Sequence, residues 1–164
     1  MPDPTTTLLV AKPGFTFSAA HFLTIPGHVC ERLHGHNYRV GVQVDGPVDP
    51  ATGFVLDFAD VKQAVHRIID RMDHRVLLPS RSDELIIREG NEQIEIDYGR
   101  PAWMVIPKAH ACLVPVQHTT AELLAQHIAE ELWKSLRKRT AIERLEVELE
   151  ESPGQGARAG RVDG

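Results

Sequence analysis

Apolar and polar positions alternate along residues 8–21, so that Phe15, Phe17, Ala19 and His21 fall on one face of an extended strand. After a loop rich in Pro, Gly and His, the stretch "HNYRVGVQVDG" alternates again. There His36, Tyr38, Val40, Val42 and Val44 share one face, and Asn37, Arg39, Gly41 and Gln43 the other. These two runs predict the long strands of an antiparallel hairpin. The period then changes: Phe58, Val61, Val65, Ile68, Ile69 and Met72 recur at helical spacing, with Asp57 placed to cap the start. Residues 77–117 break into short β-type runs separated by Gly and Pro, which predicts a small meander or hairpin inserted at one edge. A second helix follows, where Thr119 and Glu122 have capping-box spacing and Leu124, Ile128, Leu132 and Leu136 form the buried stripe. "IERLEVELEES" alternates as a strand, and "PGQG" turns the chain into a weak last strand, "ARAGRV". The order β-β-α-insert-α-β-β predicts an α+β fold, one domain over 1–164 with residues 78–117 as a β-rich insert.

Composition narrows the function. A net charge of −5, with Lys and Arg scattered, leaves no basic surface for nucleic acid. No basic, apolar leader opens the chain and no stretch nears the roughly 18 apolar residues of a membrane span, so a soluble, cytoplasmic protein is expected. Two cysteines, Cys30 and Cys112, are too few for a disulfide scaffold.

Chemistry concentrates in "CERLHGHNY", residues 30–38. His34 and His36, two apart on a strand, project from one face and can reach one ion. His21, at the end of the neighbouring strand, can supply a third nitrogen. Three imidazoles leave a zinc ion one open position, as catalytic sites do; the alternative is a polar strand face without a metal. Cys30 sits in a polar loop, where a thiol is either an activated base or a small packed residue. Asp73 precedes His74 at the end of the first helix, as a proton-shuttling pair or as a helix-end histidine favoured by the dipole.

Taken in order, "FSAAH", "CERLHGHNY", "VLDFADVK", "RMDHRVL", "TTAELLA" and a Glu-ending strand resemble the 6-pyruvoyl tetrahydropterin synthase family, including its bacterial 6-carboxy-5,6,7,8-tetrahydropterin synthase branch. The resemblance spans residues 15–156 apart from the insert. It implies a tunnelling fold: a four-stranded antiparallel sheet with two helices on one face, assembling through trimers into a hexameric barrel with active sites between subunits. By position it implies His21, His34 and His36 as ligands of Zn2+, and Cys30, Asp73 and His74 as the catalytic trio. Glu151, rather than Glu150, would grip the pterin ring, and Thr120 and Glu122 would line its pocket, Glu122 having the capping box as a rival role. The implied substrate is 7,8-dihydroneopterin triphosphate, and the implied product 6-carboxytetrahydropterin, formed with release of acetaldehyde and triphosphate on the route to 7-deazaguanines and queuosine. The animal-type branch makes 6-pyruvoyl tetrahydropterin. Some members instead use a glutamate three residues before the first histidine of His-Gly-His and form 6-hydroxymethyl-dihydropterin. Glu31 has that spacing, so it is either a second base or a solvated loop carboxylate. A silent pterin-binding homologue is the non-enzymatic alternative.

Overall fold

Strand β1, Thr5–His21, and strand β2, His34–Pro47, form the long antiparallel hairpin that the alternation predicts. The computed structural model describes residues 5–163. The ladder shifts register between Ala11 and Thr16, where Pro13 can donate no ladder hydrogen bond and Gly14 follows it. Helix α1, Phe58–Met72, starts at Asp57, whose carboxylate accepts the Ala59 N–H at 2.7 Å. Strands β3, Arg75–Pro79, β4, Ile86–Glu89, β5, Gln93–Asp97, β6, Met104–Pro107, and β7, Ala111–Val114, follow. Helix α2, Ala121–Leu136, leads to β8, Arg144–Ser152, and β9, Gln155–Val162.

Six strands make the main sheet, in the order β7-β3-β1-β2-β8-β9, while β4, β5 and β6 form a separate antiparallel meander. The main sheet is mixed rather than four-stranded and wholly antiparallel: β3 runs parallel to β1, and β7 parallel to β3. Period-two alternation is the same for either strand direction, so the sequence pattern carries no sign of this. Parallel neighbours need a long crossover, and residues 80–110, holding the meander, are that connection between β3 and β7. The segment expected as an insert, residues 78–117, therefore starts within β3 and contains β7, both strands of the main sheet.

Both helices cover one face of the sheet. Phe15, Phe17, Tyr38, Val40, Val42, Leu145, Val147 and Leu149 from the strands meet Val65, Ile69, Leu124, Ile128 and Leu132 from the helices in one buried cluster. Phe17 stacks on Tyr38 with ring centroids 4.7 Å apart, a contact worth about 1 kcal/mol beyond its buried area. The opposite face carries Ser18, Asn37, Arg39, Glu148 and Glu150 and is open. A second cluster, Phe22, Leu78, Leu85, Ile94 and Ile96, fastens the meander to the end of β1 and to β3. Among the described residues the sheet is open, with edges at β7 and β9.

Candidate metal centre and adjoining pocket

The buried face of the hairpin does not stop where its apolar residues stop. His21 continues the line of Phe15, Phe17 and Ala19, and His34 and His36 continue that of Tyr38 and Val40. Antiparallel register sets His21 directly opposite His34, and Ala19 opposite His36. Directly opposed side chains are nearest neighbours across a ladder, so three imidazoles converge at one end of the sheet. Their ring centroids lie 4.5 to 5.2 Å apart, and one ligating atom from each falls within 4.8 Å of the others.

The rings are oriented from behind. His21 is buried, and its Nδ1–H donates to the Thr119 carbonyl at 2.8 Å, with the Thr119 hydroxyl 3.2 Å away. A carbonyl can only accept, which leaves the lone pair on Nε2. His34 Nδ1–H donates likewise to the Arg32 carbonyl at 2.7 Å. Metal-binding histidines are held in this way, by a second ring nitrogen bonded to a carbonyl or carboxylate. The Nε2 atoms of His21 and His36 are buried without a hydrogen-bond partner among the described residues. Burial pushes the His21 pKa down to about 4; the Thr119 carbonyl opposes it, and the charges of His34 and His36 add smaller lowering effects. A neutral imidazole with an orphaned Nε2 is the form that ligates a metal, so the donor set fits one. Thr119 itself carries no signal in the sequence beyond its capping-box spacing. That reading is corrected: Thr120 is the N-cap of α2, accepting the Leu123 N–H, while the Thr119 hydroxyl donates to the Phe22 carbonyl at 3.1 Å.

A cavity of about 490 Å³ opens beside the imidazoles, lined by His21, His34, Cys30, Thr120, Glu122 and Glu151, with the β8–β9 turn closing one side. Cys30 sits half-buried in a single helical turn, Val29–Glu31. Its N–H donates to His28 Nδ1 at 3.1 Å and its carbonyl accepts the Leu23 N–H at 2.8 Å, so the backbone carrying the thiol is pinned on both sides. Glu151 falls where the β8–β9 register shifts between Glu150 and Ser152. It extends the buried line of Leu145, Val147 and Leu149, whereas Glu150 faces the other way and pairs with Arg39 at 3.3 Å. Glu151 Oε1 lies 3.1 Å from His36 Nε2 without hydrogen-bond alignment.

Asp73 and His74 are not in this cavity. They close α1, where Asp73 accepts the Ser18 N–H at 2.8 Å and holds His74 Nδ1 at 2.8 Å. The Ser18 bond, and to a lesser degree His74, keeps the Asp73 carboxyl below its ordinary range despite partial burial. His74 has φ of 56°, in the left-handed region, and its exposed side chain lines a second cavity of about 540 Å³ together with His36, Arg75 and His110. Within one chain the thiol and the Asp-His pair thus open on different cavities. Glu31 does not line the cavity beside the imidazoles either; its carboxylate accepts the Tyr98 hydroxyl at 2.6 Å and the Gly27 N–H at 3.1 Å.

Fold and site together define an α+β protein with a metal-competent cluster of three imidazoles beside a cavity lined by a thiol and two carboxylates. Residues 10–161 match the model of the 6-pyruvoyl tetrahydropterin synthase family, and the chain belongs to that family of lyases. A protein of Methanocaldococcus jannaschii, provisionally named 6-carboxy-5,6,7,8-tetrahydropterin synthase, is 33% identical over 147 residues, 88% of each chain. The crystal structure of 6-pyruvoyl tetrahydropterin synthase from Plasmodium vivax superposes with a TM-score of 0.87 at 32% identity, covering 98% of this chain and 100% of that one. The Plasmodium falciparum enzyme superposes with a TM-score of 0.88 at 30% identity over the same shares. Two further Plasmodium vivax structures carry alanine or cysteine in place of a glutamate described as a catalytic residue. No helix among the described residues is long and apolar enough to cross a membrane.

Proposed function

We propose that this protein is a zinc-dependent, cytoplasmic 6-carboxy-5,6,7,8-tetrahydropterin synthase. It would convert 7,8-dihydroneopterin triphosphate and one water into 6-carboxytetrahydropterin, acetaldehyde and triphosphate, on the route to 7-deazaguanines and queuosine. The observation that carries this reading is the shared cavity of Cys30, His21, His34, Thr120, Glu122 and Glu151.

His21, His34 and His36 would hold the ion, and the outer bonds of His21 to Thr119 and of His34 to Arg32 keep two of the rings in register. Zinc supplies Lewis acidity, which acidifies hydroxyl and adjacent C–H groups of a bound polyol side chain. The Glu151 carboxylate, 3.1 Å from His36 Nε2 without a hydrogen bond to it, would accept two N–H bonds from the edge of a pterin ring, a bidentate match. Thr120 and Glu122 shape the wall beside it, and the Cys30 thiolate takes the substrate proton. His74, oriented by Asp73, relays the second proton. In this reading the Asp-His pair, which opens on a separate cavity, would be brought to the thiol by a second copy of the chain. Open sheet edges at β7 and β9 support assembly into a trimer or hexamer whose active sites lie between subunits.

A second reading is favoured by the glutamate described as catalytic in the Plasmodium vivax enzyme. Glu31 would then be the base and 6-hydroxymethyl-dihydropterin the product. Incubating zinc-loaded protein with 7,8-dihydroneopterin triphosphate and separating products by mass distinguishes the two. Loss of 6-carboxytetrahydropterin in Cys30→Ala but not in Glu31→Ala supports the first reading. A 6-hydroxymethyl product that disappears in Glu31→Ala supports the second, and absence of turnover in wild type overturns both.

A further inference from the structure

Two bases stand side by side at the start of the His-Gly-His segment, and the tertiary structure treats them differently. Cys30 lines the cavity beside His21 and His34; Glu31 does not, because both its carboxylate oxygens are engaged elsewhere. One bond is local, from the Gly27 N–H four residues back. The other comes from Tyr98, 67 residues away on the meander, at 2.6 Å.

The meander is built to hold that hydroxyl in place. Trp103 packs against Phe22 with ring centroids 4.8 Å apart, next in sequence to the candidate ligand His21, and Tyr98 meets Trp103 edge-to-face at 5.5 Å. The turn carrying Tyr98 is closed by Asp97, which accepts the Ala102 N–H at 2.8 Å and pairs with Arg88 at 2.6 Å. The Tyr98 N–H donates to the Arg100 carbonyl at 3.2 Å, and Gly99 supplies the positive φ the turn needs, 65°. The contact is thus a link between two anchored segments.

We propose that Tyr98 is a positioning residue that ties Glu31 outside the metal pocket and so leaves Cys30 as the base that faces it. The inference rests on the function proposed above and assigns the meander a part in product choice. Two consequences of the link point the same way. The Tyr98 hydroxyl first, and the Gly27 N–H second, hold the Glu31 carboxyl below its ordinary range, making it a weaker base where it stands. The Glu31 carboxylate pushes the Tyr98 phenol up to about 12, with the nearby Glu84 adding to the effect, so the hydroxyl stays a donor at neutral pH.

Tyr98→Phe keeps the ring packing and deletes only the donor. Hydrogen bonds to charged groups are worth enough that their loss shifts the tethered-to-free ratio of Glu31 by about tenfold or more. Zinc-loaded wild type, Tyr98→Phe and Tyr98→Phe/Glu31→Gln are to be compared by product mass, together with the Glu31 carboxyl titration followed by carbon NMR. The expected result is a higher carboxyl pKa in Tyr98→Phe, a rise of about tenfold in the ratio of 6-hydroxymethyl-dihydropterin to 6-carboxytetrahydropterin, and return to the wild-type ratio in the double variant. An unchanged Glu31 titration overturns the tether itself. A raised pKa with an unmoved product ratio overturns its role in base choice. A wild type that turns over no pterin overturns the function reading and the product role with it, and the NMR comparison separates that failure from failure of the tether.

Discussion

Acidifying the metal-free protein from pH 7 to pH 5 tests whether His21 is buried neutral and waiting for a ligand. Its folded pKa of about 4 lies below the ordinary 6.5, so between these values the unfolded chain binds the extra proton. Stability is therefore complete above 6.5, falls as pH falls through the window, and levels off below 4. Evaluating the proton linkage between those two pKa values gives a loss of about 2 kcal/mol from pH 7 to pH 5, from this one side chain. The assay is urea unfolding in EDTA at matched protein concentration, for wild type and for His21→Gln, whose amide can bond the Thr119 carbonyl but cannot titrate. Other groups titrate in both proteins, so the difference between the two pH slopes isolates His21. Wild type should lose about 2 kcal/mol more than the variant over this range. Parallel slopes for the two proteins would refute the argument, since His21 would then titrate alike folded and unfolded.

Three further outcomes are expected. Cobalt(II), used as a coloured substitute for zinc, should give intense d–d absorption in wild type, and replacing any one of His21, His34 and His36 with alanine should weaken binding by about 100-fold or more, exceeding the loss typical of an outer-shell partner. His74→Gly should raise the melting temperature, relieving about 1 kcal/mol of left-handed backbone strain, while abolishing turnover. Gly156→Ala should destabilise by about 2 kcal/mol or more and impair activity, since its Cβ would stand 2.4 Å from the Leu149 carbonyl oxygen and push β9 off the strand that carries Glu151. Thermal melts read the last two, with product assays alongside.

Local pattern alone was enough for the two helices, the long hairpin, the Asp57 cap and the face shared by His36, Tyr38 and Val40, because each follows from a period of 3.6 or 2 within a few residues. The spacing of His34 and His36 likewise put two imidazoles on one side of a strand before any fold was known. What the chain's periodicity could not contain is pairing over distance. The register that sets His21 opposite His34, the parallel entry of β3 and β7 into the sheet, and the Thr119 carbonyl behind His21 arise from contacts between segments far apart in sequence, which leave no period behind. The same holds for two adjacent side chains: residues 30 and 31 are neighbours in the sequence, yet Cys30 opens on the cavity beside the imidazoles and Glu31 is held by Tyr98, 67 residues away. Side-chain type is a local property, so the sequence determined which groups could bind a metal or move a proton. Which of them meet is settled by the tertiary packing, through hydrogen bonds and burial that only the folded chain can make.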